Sequence, residues 1–250
     1  MRLSFTALFL TVAGVGQSSP VPKAAKPPQF FLIGDSTVAV NGGWGDGFLS
    51  YLNEPAKGSN RGVSGSTTDI GAAKANFEPV VTIQFGHNDQ KVMALDAFHT
   101  NLVSIGNDIK KAGGTPVSLT SSSYDSSTKR KNQIFITSLT RRTFQGGEVV
   151  QNLKEWAAET IAAARDVGAE YLELNKASTY YVNVIGSKNA DYYNWGLGDR
   201  THLNPPGEIV FGRMLLDLLL EKRSDFSSYF TPNKALSDKI ARGEFATGEE

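Results

Sequence analysis

The sequence contains no cysteine. That absence excludes a disulfide framework, a thiol nucleophile and any thiolate metal site. Histidine is scarce as well, with His87, His99 and His202 the only three in 250 residues. So few leave little material for a zinc site, and they make the search for a catalytic base short. Neither sign of charge is in excess, with 25 Lys and Arg against 25 Asp and Glu. A zero balance gives no electrostatic reason to expect nucleic acid or an anionic membrane as partner. No apolar run reaches the ~18 residues needed to cross a bilayer, and no Asn-x-Ser/Thr acceptor for N-glycosylation is present.

What is present is ordinary for a soluble globular chain: 40% apolar and 20% charged residues, enough for a packed core. The first sixteen residues stand apart. Arg2 is followed by an apolar run from Leu3 to Val15, then by small residues and a proline-rich stretch from Pro20 to Pro28. That is the order of a secretory signal, with cleavage expected at 16–19 and an extracellular mature protein. From residue 29 short apolar runs alternate with amphipathic stretches. Residues 29–33, 80–85, 134–137 and 171–174 read as strands. Leu95, Phe98, Leu102, Ile105 and Ile109 step by 3 and 4 as on one helix face, and Val149, Leu153, Trp156, Thr160, Ala164 and Val167 do the same. A last helix is expected after Asn204, with Pro205 in its first turn. The alternation predicts a single α/β domain over 29–222, a parallel sheet covered on both faces. No internal repeat is evident, and the sequence leaves open whether the tail, 223–250, packs or stays loose.

In such sheets the working residues gather at the carboxyl ends of the strands. Gly34-Asp35-Ser36-Thr37 follows the first strand, Gly86-His87-Asn88-Asp89 the second, and Asp199-Arg200-Thr201-His202 precedes the last helix. A serine hydroxyl is a poor nucleophile until a base takes its proton and a third group holds that base. Ser36 as nucleophile, His202 as base and Asp199 as the residue fixing its tautomer meet that need. An oxyanion requires fixed donors, for which the Asn88 amide and the backbone N–H groups of Ser36 and Gly65 are candidates. Trp44, Arg141, Arg142 and Trp195 are candidate substrate contacts. His87 reads as a structural residue and His99 as half-buried surface.

These blocks, together with Asn60 to Gly65 and the late Leu139-Thr140-Arg141-Arg142, resemble those of the SGNH (GDSL-type) hydrolases, and most the rhamnogalacturonan acetylesterases of carbohydrate esterase family 12. The resemblance spans about residues 29–220. It implies a flavodoxin-like three-layer α/β/α fold, no metal and no cofactor. It also implies a serine, glycine, asparagine and histidine set at Ser36, Gly65, Asn88 and His202, and an acetylated polysaccharide or small ester as substrate. The chain after Gly65 reads Ser66-Thr67-Thr68-Asp69, where pectin-active relatives commonly place an arginine, so esterase chemistry is better supported than recognition of an acidic polymer. A short-chain acyl or lipid esterase is the alternative substrate reading. From another class come a carbohydrate-binding protein with a dead site and a nucleotide-binding module. The glycines from Gly42 to Gly47 suggest the latter, but they complete no phosphate-binding fingerprint. The protein is expected to act as a monomer.

One stretch fits poorly. Residues 117–133, eight of them Ser or Thr, separate the Gly113-Gly114-Thr115-Pro116 turn from the next strand, where a few residues would serve. Val117-Ser118 can be encoded by a splice donor and Gln133 by a splice acceptor. The segment reads either as a translated intron or as a genuine inserted loop, and the codons at those positions decide between the two.

Overall fold

The computed structural model describes residues 27–68, 78–112 and 132–250. The expected signal segment lies outside them, and so does the 117–133 insertion except for Asn132 and Gln133. In chain order the elements are β1 (Pro28–Gly34), α1 (Gly45–Leu49), β2 (Lys57–Asn60), β3 (Glu78–Gln84), α2 (Asp89–Val92), α3 (Leu95–Ala112) and β4 (Gln133–Ile136). A small hairpin, β5 (Phe144–Gln145) and β6 (Glu148–Val149), comes next. It is followed by α4 (Lys154–Asp166), β7 (Glu170–Leu172), α5 (Leu174–Ala190), α6 (Pro205–Lys222) and α7 (Lys234–Ala241).

Five strands form one parallel sheet in the order β2-β1-β3-β4-β7. Counted along the sheet strands alone this is the flavodoxin-like order, in which the chain reverses direction beside its first strand and opens a crevice there. Period-two alternation sorts the side chains into two cores. Phe30, Leu32, Val80, Ile134 and Ile136 face α1, α5, α6 and the C-terminal segment. Val81, Ile83 and Phe135 face Phe98, Leu102 and Ile105 of α3 and Trp156 and Ala163 of α4. Three layers result.

The helix after Asn204 forms as expected. The Asn204 side chain accepts from the Gly207 N–H, and Pro205 and Pro206 fill the first turn, where no donor is needed. The helix expected from Val149 starts only at Lys154, because Glu148 and Val149 pair with Gln145 and Phe144 instead. The apolar run expected over 171–174 stops as strand at Leu172, and Leu174 opens α5. Gln133 begins β4, where its buried amide donates to the Gly106 carbonyl. Residues 223–250 pack: a 3-10 helix (Ser224–Tyr229), α7 and a closing segment in which Ala246 is fully buried.

Candidate active site

Ser36 leaves β1 on a tight turn. The Asp35 carbonyl accepts the N–H groups of Val38 and Ala39, while the Asp35 carboxylate accepts the N–H (2.9 Å) and hydroxyl (2.7 Å) of Thr37. A Cβ at Gly34 would come within 2.4 Å of the Gln84 carbonyl oxygen, so only glycine fits this strand end. Burial pushes the Asp35 carboxyl up to about 6, against the pull of the two Thr37 bonds.

From the opposite side of the crevice comes the 194–203 loop. Its ends are pinned by an antiparallel bridge between Asn194 and Leu203. Asp199 Oδ1 accepts the N–H groups of Thr201 (3.1 Å) and His202 (3.0 Å), and its Oδ2 lies 2.8 Å from His202 Nδ1. Burial opposes the charge on Asp199, but these hydrogen bonds outweigh it and hold the carboxyl below its usual range. A carboxylate there fixes the proton on Nδ1 and leaves Nε2 bare to accept. His202 Nε2 is 2.9 Å from Ser36 Oγ. Gly42, at φ +137, packs against the imidazole: a Cβ there would lie 3.4 Å from the His202 Cβ. The Gly42 N–H donates to Glu208 Oε1 (2.7 Å) and its carbonyl accepts the Leu203 N–H, so the first turn of α6 ties the Ser36 and His202 loops together.

The 61–68 loop docks on the same strand end, where the Gly34 carbonyl accepts both the Val63 N–H (2.9 Å) and the Ser66 hydroxyl (3.1 Å). Gly65 sits at φ +80 in this loop. Asn88, just after β3, donates to the Ser66 carbonyl (3.1 Å) and accepts from Lys91 Nζ (3.1 Å). Asp89 fastens the whole group, accepting from Thr68 N and Oγ1 and from Gly86 N. The four sequence blocks therefore converge at the crevice between β1 and β3.

The expected substrate contacts divide. Trp195 is 49% exposed on the loop that carries Asp199. Arg141 is half-buried between the two sides, donating to Thr201 Oγ1 (3.3 Å) and to the His87 carbonyl (3.2 Å). Trp44 and Arg142 must be corrected, since both are fully buried and neither can face a ligand. The Trp44 indole N–H is spent on Gln84 Oε1 (2.8 Å) and its ring packs on Phe48. Arg142 reaches inward to Asn194 and the His202 carbonyl. His87 is buried and donates from Nε2 to the Leu139 carbonyl (2.8 Å). Burial lowers its pKa to about 3, so it stays neutral. His99 bridges Glu159 and Asp166, each at 3.0 Å, joining α3 to α4. The residues that sequence reading missed are supports. Glu208 and Asn194 lie outside every recognisable block, and only their contacts reveal them.

A serine, a histidine and an aspartate in line, beside a left-handed glycine and an amide, suit acyl transfer through a serine ester. Known proteins agree with that chemistry at family level. Rhamnogalacturonan acetylesterase RhgT from Bacillus subtilis (strain 168) is 23% identical over 224 residues, spanning 77% of this chain and 89% of that protein. A solved Bacillus subtilis protein, determined as a structural-genomics target, superposes with a TM-score of 0.62 at 18% identity; the match covers 78% of this chain but only 57% of that one. Axe2, an acetylxylan esterase from Geobacillus stearothermophilus, superposes with a TM-score of 0.53 at 15% identity, over 80% of this chain and 94% of Axe2. The pattern of the GDSL-like Lipase/Acylhydrolase family matches residues 32–208, from the end of β1 through the first turn of α6 and so across every block of the site, and the chain belongs to that family.

Proposed function

We propose that this protein is a secreted serine esterase that removes acetyl groups from a plant-cell-wall polysaccharide, with rhamnogalacturonan the first candidate. The observation that carries the chemistry is the continuous relay from Ser36 Oγ through His202 to Asp199, at 2.9 and 2.8 Å. In this reading Ser36 Oγ attacks the acetyl carbonyl while His202 Nε2 takes its proton. The oxyanion is met by the N–H groups of Ser36 and Gly65 and by the Asn88 amide. His202 then gives its proton to the departing sugar oxygen, which leaves as a hydroxyl, and a water activated by the same nitrogen hydrolyses the acetyl-enzyme to acetate. The polymer assignment is supported by the similarity to rhamnogalacturonan acetylesterase RhgT, and we take exposed Trp195 and half-buried Arg141 as the candidate contacts to it. Secretion rests on the order of charge, apolar run and prolines in the first 28 residues.

The test is acetate release from acetylated rhamnogalacturonan, with Ser36→Ala as blank and acetylated xylan as the second polymer. Release that vanishes in the variant supports nucleophile and polymer together. Release from xylan alone moves the substrate. Activity confined to longer-chain nitrophenyl esters favours the acyl or lipid esterase instead.

A further inference from the structure

The loop that carries Asp199 and His202 is held by polar contacts, among them Arg200 to Asp191 and Arg141 to Thr201. Gly196 and Gly198 lie within it, Leu197 is fully exposed, and the Asp199 and His202 side chains are 32% and 37% exposed. Its stem is held from the interior as well. There Arg142, 0% exposed, aims its guanidinium at both ends: Nε donates to Asn194 Oδ1 (2.8 Å) and Nη2 to the His202 carbonyl (2.6 Å). Its own backbone N–H donates to the Arg200 carbonyl (2.9 Å), and the Trp195 N–H reaches the same His202 carbonyl. Nη1 is buried with no partner among the described residues. Burial pulls the Arg142 pKa down to about 10, with Asp199 and Asp191 opposing, so the group remains a cation at neutral pH.

Burying a cation with an idle donor is a poor way to fill space; a methionine or leucine of similar volume would cost less. What a guanidinium offers is a rigid planar fork that sets the spacing and orientation of two acceptors at once, which neither an apolar chain nor the single point of a lysine can do. We propose that Arg142 is a positioning residue for acyl transfer: its buried fork clamps Asn194 to the His202 backbone and so keeps the imidazole in line with Ser36 Oγ. The inference rests on the reading of Ser36, His202 and Asp199 as nucleophile, base and orienting acid.

Arg142→Lys keeps the charge and removes the fork. On nitrophenyl acetate it is expected to lower kcat about 10²-fold, the scale of an ångström-sized misplacement. KM should stay within about twofold, since no ligand contact is lost. Labelling of Ser36 by a fluorophosphonate should slow in proportion. Wild-type kcat in a folded Arg142→Lys protein overturns the proposal, and so does a raised KM at unchanged kcat. Should that variant not fold, Asn194→Ala unhooks one arm of the clamp. It is expected to cost about tenfold in kcat at constant KM, the scale of one hydrogen bond, and unchanged turnover there equally overturns the role. Ser36→Ala separates the two claims. Activity that survives in it defeats the nucleophile reading, whereas activity lost in it but full in Arg142→Lys defeats only the positioning role.

Discussion

At the scale of single residues the structure separates side chains left with a free polar group at the crevice from those whose polar groups are spent inside the fold. Asn88 has both ends of its amide engaged, by Ser66 and Lys91, which leaves one N–H free in a fixed direction. Asn88→Ala is therefore expected to lower kcat by about 10²–10³ with little change in KM, measured on nitrophenyl acetate. His87 and Asp35 act on stability, with opposite signs. His87 folds with a pKa near 3, so the unfolded chain binds a proton that the folded one refuses. Its contribution is complete above the ordinary histidine range and is lost as pH falls towards 3, by about 1.4 kcal/mol per pH unit. Asp35, raised to about 6, binds a proton in the folded state that the unfolded chain has released. Its contribution is present below the usual carboxylate range and is lost as pH rises towards 6. Between about pH 4 and 6 the two slopes cancel. His87→Gln should uncover the second, becoming more stable on acidification across that window, which urea titrations at pH 4.5 and 6 would read. The meeting of Ser36, His202 and Asp199 was legible in the sequence because strand ends and a three-residue spacing are local signals. Trp44 and Arg142 were misread because residue type alone does not say which way a side chain points. An aromatic or an arginine beside a catalytic block serves the core as readily as the ligand.

At the scale of elements, α3 and α6 were legible because their apolar residues keep a helical step between clear stops. β2 was not: Lys57-Gly58-Ser59-Asn60 has no apolar face and exists as a strand only because the edge of β1 offers it partners. α5 was hidden by its polar and β-branched composition and by Gly186, at φ +77, which breaks its helical path. The contact that matters most to the site is α1 against α6. A Cβ on Gly212 would meet the Gly47 carbonyl carbon and the Phe48 nitrogen at 2.5 Å, and one on Gly47 would clash with the Glu208 carbonyl. The two helices touch backbone to backbone, and no flexible side chain can yield. Gly212→Ala should cost about 1–3 kcal/mol in urea unfolding. The same displacement would loosen the Gly42–Glu208 bond that joins the two sides of the crevice.

At the scale of the whole molecule, the chain's last residues belong to the fold, which composition could not decide. The Tyr193 hydroxyl donates to the Ala246 carbonyl (2.7 Å) and the Tyr181 hydroxyl to that of Glu244 (3.1 Å), while Phe245 packs on Tyr192 and Tyr193. The Glu250 carboxylate gathers Lys239 Nζ and the N–H groups of Thr247 and Gly248; burial resists its charge, but these partners hold its pKa near 2. Removing residues 244–250 is expected to cost about 3 kcal/mol, from lost aromatic packing and stranded hydroxyls, read as a lower urea midpoint. The tyrosine bonds to Glu244 and Ala246 join groups 63 and 53 residues apart, and no periodicity announces them.

Ser36 and His202 stand 166 residues apart and meet only across the finished sheet. During synthesis Ser36 thus leaves the ribosome long before His202, by on the order of ten seconds or more at ordinary elongation rates. Until α6 has emerged and docked on α1, Ser36 has no imidazole beside it. A product that ends before His202 lacks the partner of Ser36 altogether, so the relay can form only at a late stage of assembly.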